Sequence, residues 1–234
     1  MVASLRKVVK VSSKTIYINM VGDLVCPWCF LGRKRLLKAI ASLPNIDIRL
    51  LWKPFQLRPD MPPLGKPYQQ HMKTVLGSQD AVDEAERSLI ELGNQEDIAF
   101  DFAAIKIAPN TLNAHRVVYW AEQDQPDTQN KLIDELYSRY FEQGQNIGDK
   151  SVLVDAAGAV GMRADVIEKL LNTEIDCDTL QQDCAKACQI GVRGVPCFII
   201  DQKYVIMGAQ PQEVLADAIQ QIADGFEPGH TEDR

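Results

Sequence analysis

The chain has 234 residues, a formal net charge of −7 and 46% hydrophobic residues, which is typical of a globular protein long enough to bury a core. The acidic balance argues against nucleic-acid binding as a main role, because phosphates select a basic surface. No window reaches the roughly 18 apolar residues of a membrane span, and the N-terminus lacks the pattern of a secretory signal. We therefore expect a cytoplasmic protein that contacts neither nucleic acid nor membrane.

The first part of the chain predicts a strand, a helix and a second strand. Residues Thr15–Asp23 are β-branched, aromatic and apolar, which indicates a buried strand. A helix should follow, because Pro27 suits a first helical turn and leucines recur at helical spacing behind it. We expect the basic run GRKRLLK of this helix to lie on an exposed face. Pro44 ends the helix, and Ile46–Phe55 completes a predicted parallel βαβ unit.

The middle of the chain predicts helices only, which we treat as an insertion over residues 63–174. The predicted segments are Tyr68–Leu76, Ala81–Gly93, Thr111–Gln123, Thr128–Glu142, Lys150–Val160 and Ala164–Asn172.

Strand patterns return near the C-terminus, after one more helix. Val195–Asp201 and Lys203–Ala209 are predicted as a hairpin, followed by a terminal helix that has proline at its start and glycine at its end. We therefore predict an α/β fold whose sheet domain is discontinuous, with residues 14–62 and 175–226, and a loose tail at residues 227–234.

Two cysteines stand at the first strand-to-helix junction, in the stretch VCPWCF. Unpaired N–H groups and the partial positive charge of a helix N-terminus stabilise a thiolate. Cys26 is expected at the N-cap, and Cys29 one turn deeper on the same face. Cys29 can then attack a mixed disulfide that forms at Cys26. Pro27 and Trp28 between them would fix the turn and limit access of solvent.

A metal site and inert packing are the competing interpretations of this pair. A structural zinc site needs two more ligands at defined spacing, and the later cysteines, Cys177, Cys184, Cys188 and Cys197, form no second CxxC. A Cys184–Cys188 bridge would distort a helix, because residues four apart have Cβ atoms about 5–6 Å apart and a disulfide prefers about 3.5–4.5 Å. The pattern favours a redox dithiol without a metal.

Several other residues are candidates for the site. Pro196 precedes a predicted strand, and a cis Val195–Pro196 bond would expose the Val195 carbonyl and N–H to a partner. Only about 5–6% of bonds before proline are cis, so the sequence leaves the cis or trans state of this bond open. Asp23 can relay protons to Cys29 or raise the pKa of a thiol, or it can serve as a turn or helix-capping residue. His115 can be a general base, a contact to a polar substrate, or a hydrogen-bonded helix histidine. Asn110 or Thr111 is expected to cap the helix that carries it.

The order strand, CPWC, helix, helical insertion, GVP and final hairpin resembles the DsbA-like thioredoxin superfamily. The segments DLVCPWCFLG, APNTLNAHR and GVRGVPCFIIDQKYVIMGAQ more narrowly resemble its FrnE-like branch, which is related to 2-hydroxychromene-2-carboxylate isomerases and kappa-class glutathione transferases. The resemblance covers about Thr15 to Asp224.

This resemblance implies a thioredoxin-like fold with a large all-helical insertion. It implies that Cys26 attacks, that Cys29 resolves, and that Pro196 is cis and faces Cys26. Together with Val195, Pro27 and Trp28 this proline would contact the substrate. A thiol-disulfide oxidoreductase or disulfide isomerase is then expected, with no bound cofactor, with thiols or disulfides as partners and with glutathione as a candidate co-substrate. The kappa-class relatives also allow a homodimer.

Two other functions stay open from the sequence. One is a glutathione-dependent isomerase or transferase that acts on a small aromatic or polyketide-like compound. Those relatives carry a serine or a lone nucleophile where this chain keeps both thiols. The other is a thiol-rich protein that binds metal or senses redox state without catalysis.

Overall fold

A computed structural model describes residues 15–125, 127–189 and 191–226. The predicted tail at 227–234 and the first domain boundary, at residue 14, lie outside these ranges. Strand β1 (Ile16–Gly22), helix α1 (Pro27–Ala41) and strand β2 (Ile48–Pro54) form the N-terminal unit. The two strands are parallel, with Ile16 opposite Ile48, so the predicted βαβ unit is confirmed.

The predicted helices of the middle segment are confirmed, with bounds that move by two residues at most. They are α2 (Tyr68–Leu76), α3 (Gln79–Asn94), α4 (Leu112–Glu122), α5 (Thr128–Phe141), α6 (Lys150–Ala159) and α7 (Ala164–Leu171). The sequence did not predict two short strands, β3 (Lys66–Pro67) and β4 (Ile107–Ala108), which pair antiparallel. Two residues are too few to show an alternating pattern.

The C-terminal part returns to the sheet. Helix α8 (Cys177–Gln189) is followed by β5 (Cys197–Ile200), β6 (Tyr204–Met207) and α9 (Gln212–Ala223). The sheet has the order β2-β1-β5-β6, and β5 runs antiparallel to both of its neighbours. This arrangement confirms the α/β fold and the predicted hairpin, and it places the loop before β5 beside the start of α1.

Aromatic side chains join α1 to the helical segment. Phe30 of α1 stacks on Tyr137 of α5 at 4.9 Å between ring centroids, and it meets the edge of Phe100 at 5.8 Å. Most buried apolar residues of the sheet and of the inserted helices form one continuous core, and a smaller cluster that includes Val21 and Cys197 is separate from it. The division of the chain at residues 63–174 stays a prediction from the sequence.

The basic run of α1 does not lie on an exposed face, so that prediction was wrong. The Arg33 side chain is only 1% exposed, and it donates to both carboxylate oxygens of Asp134 at 2.7 and 3.1 Å. Arg35 is also buried, and it donates to Glu96 at 2.8 Å and to the Ala209 carbonyl at 2.7 Å. Elements distant in the sequence pack on this face and supply acceptors, which periodicity within one helix does not reveal.

Within the described residues, no helix combines the length and the apolar character that a membrane crossing requires.

Candidate active site

The two thiols lie at the first turn of α1. Cys26 is the N-cap with an extended backbone, and Pro27 is the first helical residue. The backbone N–H of Cys29 donates to the Cys26 carbonyl at 3.0 Å. Cys26 and Cys29 are not joined by a disulfide in this structure, and they are 4% and 0% exposed. Trp28, between the two cysteines, is 44% exposed.

The loop before β5 meets the Cys26 thiol. The Val195–Pro196 peptide bond is cis, and the Cys26 Sγ donates to the Val195 carbonyl at 3.8 Å. The Pro196 carbonyl in turn accepts from the Gly208 N–H at 2.8 Å, which fixes the loop to the end of β6. The cis bond and its position beside Cys26, which the resemblance implied, are therefore confirmed.

Two glycines that the sequence interpretation passed over allow these elements to approach. A Cβ on Gly32 of α1 would lie 2.9 Å from Pro196 Cγ. A Cβ on Gly22 would lie 2.7 Å from the Trp52 ring and 3.3 Å from the Cys29 Sγ. The close contact at Gly32 could have been predicted from the sequence, because a glycine inside a helix costs about 1 kcal/mol of stability and often marks a close contact.

Burial of Cys29 raises the pKa of its thiol well above the ordinary value. A hydrogen bond to Cys26 and the charge of Cys26 raise it further, and the charge of Asp23 adds to this, whereas a backbone hydrogen bond from Asp23 opposes it. Cys29 is therefore held as a thiol.

Asp23 is a buried carboxylate, 1% exposed, directly behind the dithiol. Its Oδ2 accepts from the Leu57 N–H at 2.8 Å, and its Oδ1 lies 3.3 Å from His115 Nε2. The Asp23 backbone carbonyl accepts from the Tyr137 hydroxyl at 3.2 Å. These carboxylate bonds run to β2's exit and to α4 rather than to α1, so the helix-capping interpretation of Asp23 was wrong.

His115 is a hydrogen-bonded histidine of the core. Its Nε2 faces two acceptors, the Asp23 carboxylate and the Phe55 carbonyl at 3.1 Å. Its Nδ1 accepts from Trp52 Nε1 at 3.5 Å. The neutral tautomer with hydrogen on Nε2 satisfies all three partners, and we assign it on that basis. The lone pair faces Trp52, so His115 orients Asp23 and does not face the dithiol as a base.

Asn110 holds the start of α4 instead of contacting the thiols. Its Oδ1 accepts from the Leu112 N–H at 2.9 Å, and its Nδ2 donates to the Met61 carbonyl at 2.7 Å. Thr111 is at the N-cap position without a side-chain capping bond. The expected side-chain acceptor is therefore Asn110, and the structure does not bring it to the site.

A pocket of about 210 Å³ lies on the helical side of the dithiol. Both chain neighbours of Cys26, Val25 and Pro27, line it together with the buried Asp23. Its opening carries Arg58 and His71. The pocket and Val195 thus flank the junction that carries Cys26.

Two of the later cysteines, Cys177 and Cys197, pack elsewhere in the fold. Cys177 is buried, and its Sγ donates to Glu174 at 3.3 Å. Cys197 is buried with Val21 under α8, on the other face of the sheet. The side chain of Cys188 lies outside the described residues. The part of the chain that the structure describes contains no group of three or more His, Cys, Asp or Glu residues able to hold a metal ion.

Comparison with known proteins gives a family match over most of the chain. The profile of the DSBA-like thioredoxin domain matches residues 17–220. The structure of a protein described as "probable DsbA oxidoreductase SCO1869" from Streptomyces coelicolor is 26% identical, with a TM-score of 0.82 over 93% of this chain and 94% of that one. The expected thioredoxin-like fold is thereby confirmed.

Curated relatives include a protein of similar length and an enzyme that matches in part. Bacillus subtilis (strain 168) YwbO is 27% identical over 88% of this chain and 96% of its own length. Rat glutathione S-transferase kappa 1 is 29% identical, over 50% of this chain and 54% of that protein. The expected relation to kappa-class transferases is therefore confirmed at the level of sequence similarity.

Proposed function

Because the chain belongs to the DSBA-like thioredoxin domain family, we propose that it is a thiol-disulfide oxidoreductase that works through Cys26 and Cys29. The observation that carries the proposal is the geometry at the start of α1. A dithiol at a helix N-terminus faces the carbonyl before a cis-proline, with the Cys26 Sγ 3.8 Å from the Val195 oxygen. The narrower FrnE-like assignment and a cytoplasmic location belong to the same proposal.

The first step is attack by the Cys26 thiolate on one sulfur of a substrate disulfide. A bond forms between the two sulfurs, the substrate disulfide breaks, and its second sulfur leaves as a thiolate. The Val195 backbone is placed to pair with the substrate chain beside the new mixed disulfide. Pro27 and Trp28 supply apolar contacts around it.

The second step depends on how Cys29 is held. Formation of the mixed disulfide removes the charge of Cys26, and with it two of the causes that raise the pKa of Cys29. Cys29 then gives its proton to the Asp23 carboxylate and attacks the Cys26 sulfur. The bond between Cys26 and the remaining substrate sulfur breaks, and this sulfur leaves as a thiolate. The enzyme is left with a Cys26–Cys29 disulfide. The substrate has gained two electrons, and the enzyme has lost them.

Recycling requires an external thiol, and we propose glutathione as this co-substrate, with no bound cofactor. The direction in which the pair works is set by its reduction potential relative to the cellular thiols. Thiols and disulfides, either small molecules or proteins, are the proposed partners, and a homodimer is the proposed assembly.

The test is a redox titration of the purified protein against glutathione buffers, with Cys26→Ser as the control. We expect a reversible two-electron couple, in which a tenfold change in the equilibrium constant corresponds to about 30 mV. The control should show no such couple. A wild-type protein that also shows no reversible couple would contradict the proposal.

A glutathione-dependent isomerase or transferase is the second candidate, which the similarity to rat glutathione S-transferase kappa 1 favours. The Cys29→Ser variant separates the two functions. Under the first proposal this variant should accumulate mixed disulfides at Cys26, because nothing resolves them. Under the second it should still convert an aromatic test compound in the presence of glutathione.

A further inference from the structure

The pocket beside the dithiol has room for one group and not for a whole ligand. Its volume is about 210 Å³, whereas pockets that enclose a drug-sized ligand have about 300–1,000 Å³. The pocket lies next to Cys26, because Val25 and Pro27, the residues on either side of this cysteine, form part of its wall. A substituent on a sulfur that reacts with Cys26 can therefore reach it.

The wall of this pocket is apolar. Apart from Val25 and Pro27, most of its apolar lining comes from the exit of β2 and from one side of α2. These residues include Leu57, Met61, Met72 and Val75, and Ala108, Pro109 and Tyr140 complete the lining. Such a wall favours a ring or a branched aliphatic group, because burial of apolar surface is favourable and the flexible methionines adapt to its shape.

The two ends of the pocket differ in charge. The buried end carries the Asp23 carboxylate, and the open end carries the exposed Arg58 and the half-buried His71. Lys66 is near enough to act on His71 together with Arg58, and Asp60 opposes them. Two cationic side chains therefore outweigh one carboxylate at the opening, in a protein whose net charge is −7.

We infer that the pocket selects disulfides in which one sulfur bears an apolar group about one ring in size, with an acidic group that reaches Arg58. The inference rests on the proposed thiol-disulfide exchange and names the substrate class for that site. The apolar part fills the pocket, and the acid stays at the opening, away from Asp23. A neutral or cationic disulfide of the same size lacks the second contact.

Three disulfide reagents separate the apolar contact from the charged one. 5,5′-Dithiobis(2-nitrobenzoate) has a ring and a carboxylate, 4,4′-dithiodipyridine has a ring without a negative charge, and hydroxyethyl disulfide has neither. Rate constants for the reduced protein are measured with each reagent by stopped flow, and each variant is compared with the wild type through ratios between reagents. These ratios cancel the intrinsic reactivity of each reagent.

The charge test uses Arg58→Gln, with Arg49→Gln as the matched control. Arg49 is an exposed arginine of β2 that lies 3.8 Å from Asp47 and does not line the pocket. We expect Arg58→Gln to lower the ratio of the nitrobenzoate reagent to the dipyridine reagent by about fivefold, as befits a partly screened ion pair. Added salt should reduce the wild-type ratio in the same direction. Arg49→Gln should leave that ratio at the wild-type value.

The volume test uses Val75→Phe, which should fill the pocket from α2, with the exposed Thr74→Phe as the control on the same helix. We expect Val75→Phe to lower the ratio of either ring-bearing reagent to hydroxyethyl disulfide by several fold. If both ratios stay at wild-type values in Arg58→Gln and Val75→Phe while hydroxyethyl disulfide still reacts, the inference is overturned and the proposed exchange stands. If the wild type reduces none of the three reagents, the proposed exchange fails as well.

Discussion

Replacement of Gly32 by alanine tests whether close contact between α1 and the proline loop builds the site. A Cβ at this position would lie 2.9 Å from Pro196 Cγ and 3.3 Å from both Ala209 and Phe198. The proline cannot easily withdraw, because the Gly208 N–H holds its carbonyl at 2.8 Å. The added methyl group must therefore displace the loop that presents Val195 to Cys26.

The size of the effect follows from two opposing contributions. Alanine in place of glycine inside a helix stabilises the fold by about 1 kcal/mol. An extra methyl group in a tightly packed site typically costs about 1–3 kcal/mol. Gly158 in α6 serves as the control, because a Cβ there would meet only the Ala164 Cβ, at 3.7 Å. Gly158→Ala should keep the full helical gain, so the free energies of unfolding of the two variants should differ by about 1–3 kcal/mol.

The assay is urea unfolding of both variants, together with the rate at which the reduced proteins react with hydroxyethyl disulfide. We expect Gly32→Ala to be the less stable variant and to react more slowly, since the Val195 carbonyl moves relative to Cys26. If Gly32→Ala stabilises the protein as much as Gly158→Ala does and reacts at the wild-type rate, the contact does not position the site.

Three further predictions concern buried polar groups around the dithiol. Burial raises the pKa of Cys29 above its ordinary value of 9.0, so this thiol contributes stability below about pH 9 that is lost as the pH rises toward its folded pKa. The free energy of unfolding of Cys29→Ala should therefore fall less between about pH 8 and pH 10 than that of the wild type. An equal fall in both proteins would contradict this prediction. His115→Phe removes a donor from the buried Asp23 carboxylate and should cost about 2 kcal/mol in urea unfolding, whereas His115→Gln can still donate and should cost clearly less; equal losses would show that the donor is unimportant. Arg33→Leu should lower the free energy of unfolding by about 2 kcal/mol, because it removes the buried guanidinium while its partner Asp134, which is 39% exposed, can still be hydrated. A decrease below about 0.5 kcal/mol in the same assay would show that the pair contributes no more than an ordinary surface ion pair.

Local patterns predicted much of the fold. The β-branched run before Cys26, the proline after it and the recurring leucines indicated β1 and α1 with bounds that the structure moves by one or two residues. The cysteine pair at that junction indicated redox chemistry, which stays a prediction. The predictions of β1 and α1 succeeded because strand alternation, helix periodicity and helix starts depend on neighbours within a few residues.

Partners that lie far apart in the chain were not predictable in the same way. The sequence left Asp23 and His115 with two or three roles each, and only the structure places His115 Nε2 3.3 Å from the Asp23 carboxylate. It also reversed the expected exposure of Arg33, whose acceptor, Asp134, lies 101 residues along the chain. Burial and hydrogen-bond pairing depend on which elements pack together, and one helix's own pattern does not contain that information.

The sequence by itself determined where the two thiols lie, because cysteines three positions apart at a helix start share one face and one local field. The tertiary structure decided what surrounds them. It brings Val195 to Cys26 across 169 residues of sequence, buries Cys29, and opens a pocket whose walls come from β2's exit, α2 and α4's start. The placement of the thiols at the helix start is a local property, whereas their burial and the surfaces around them arise only in the packed fold.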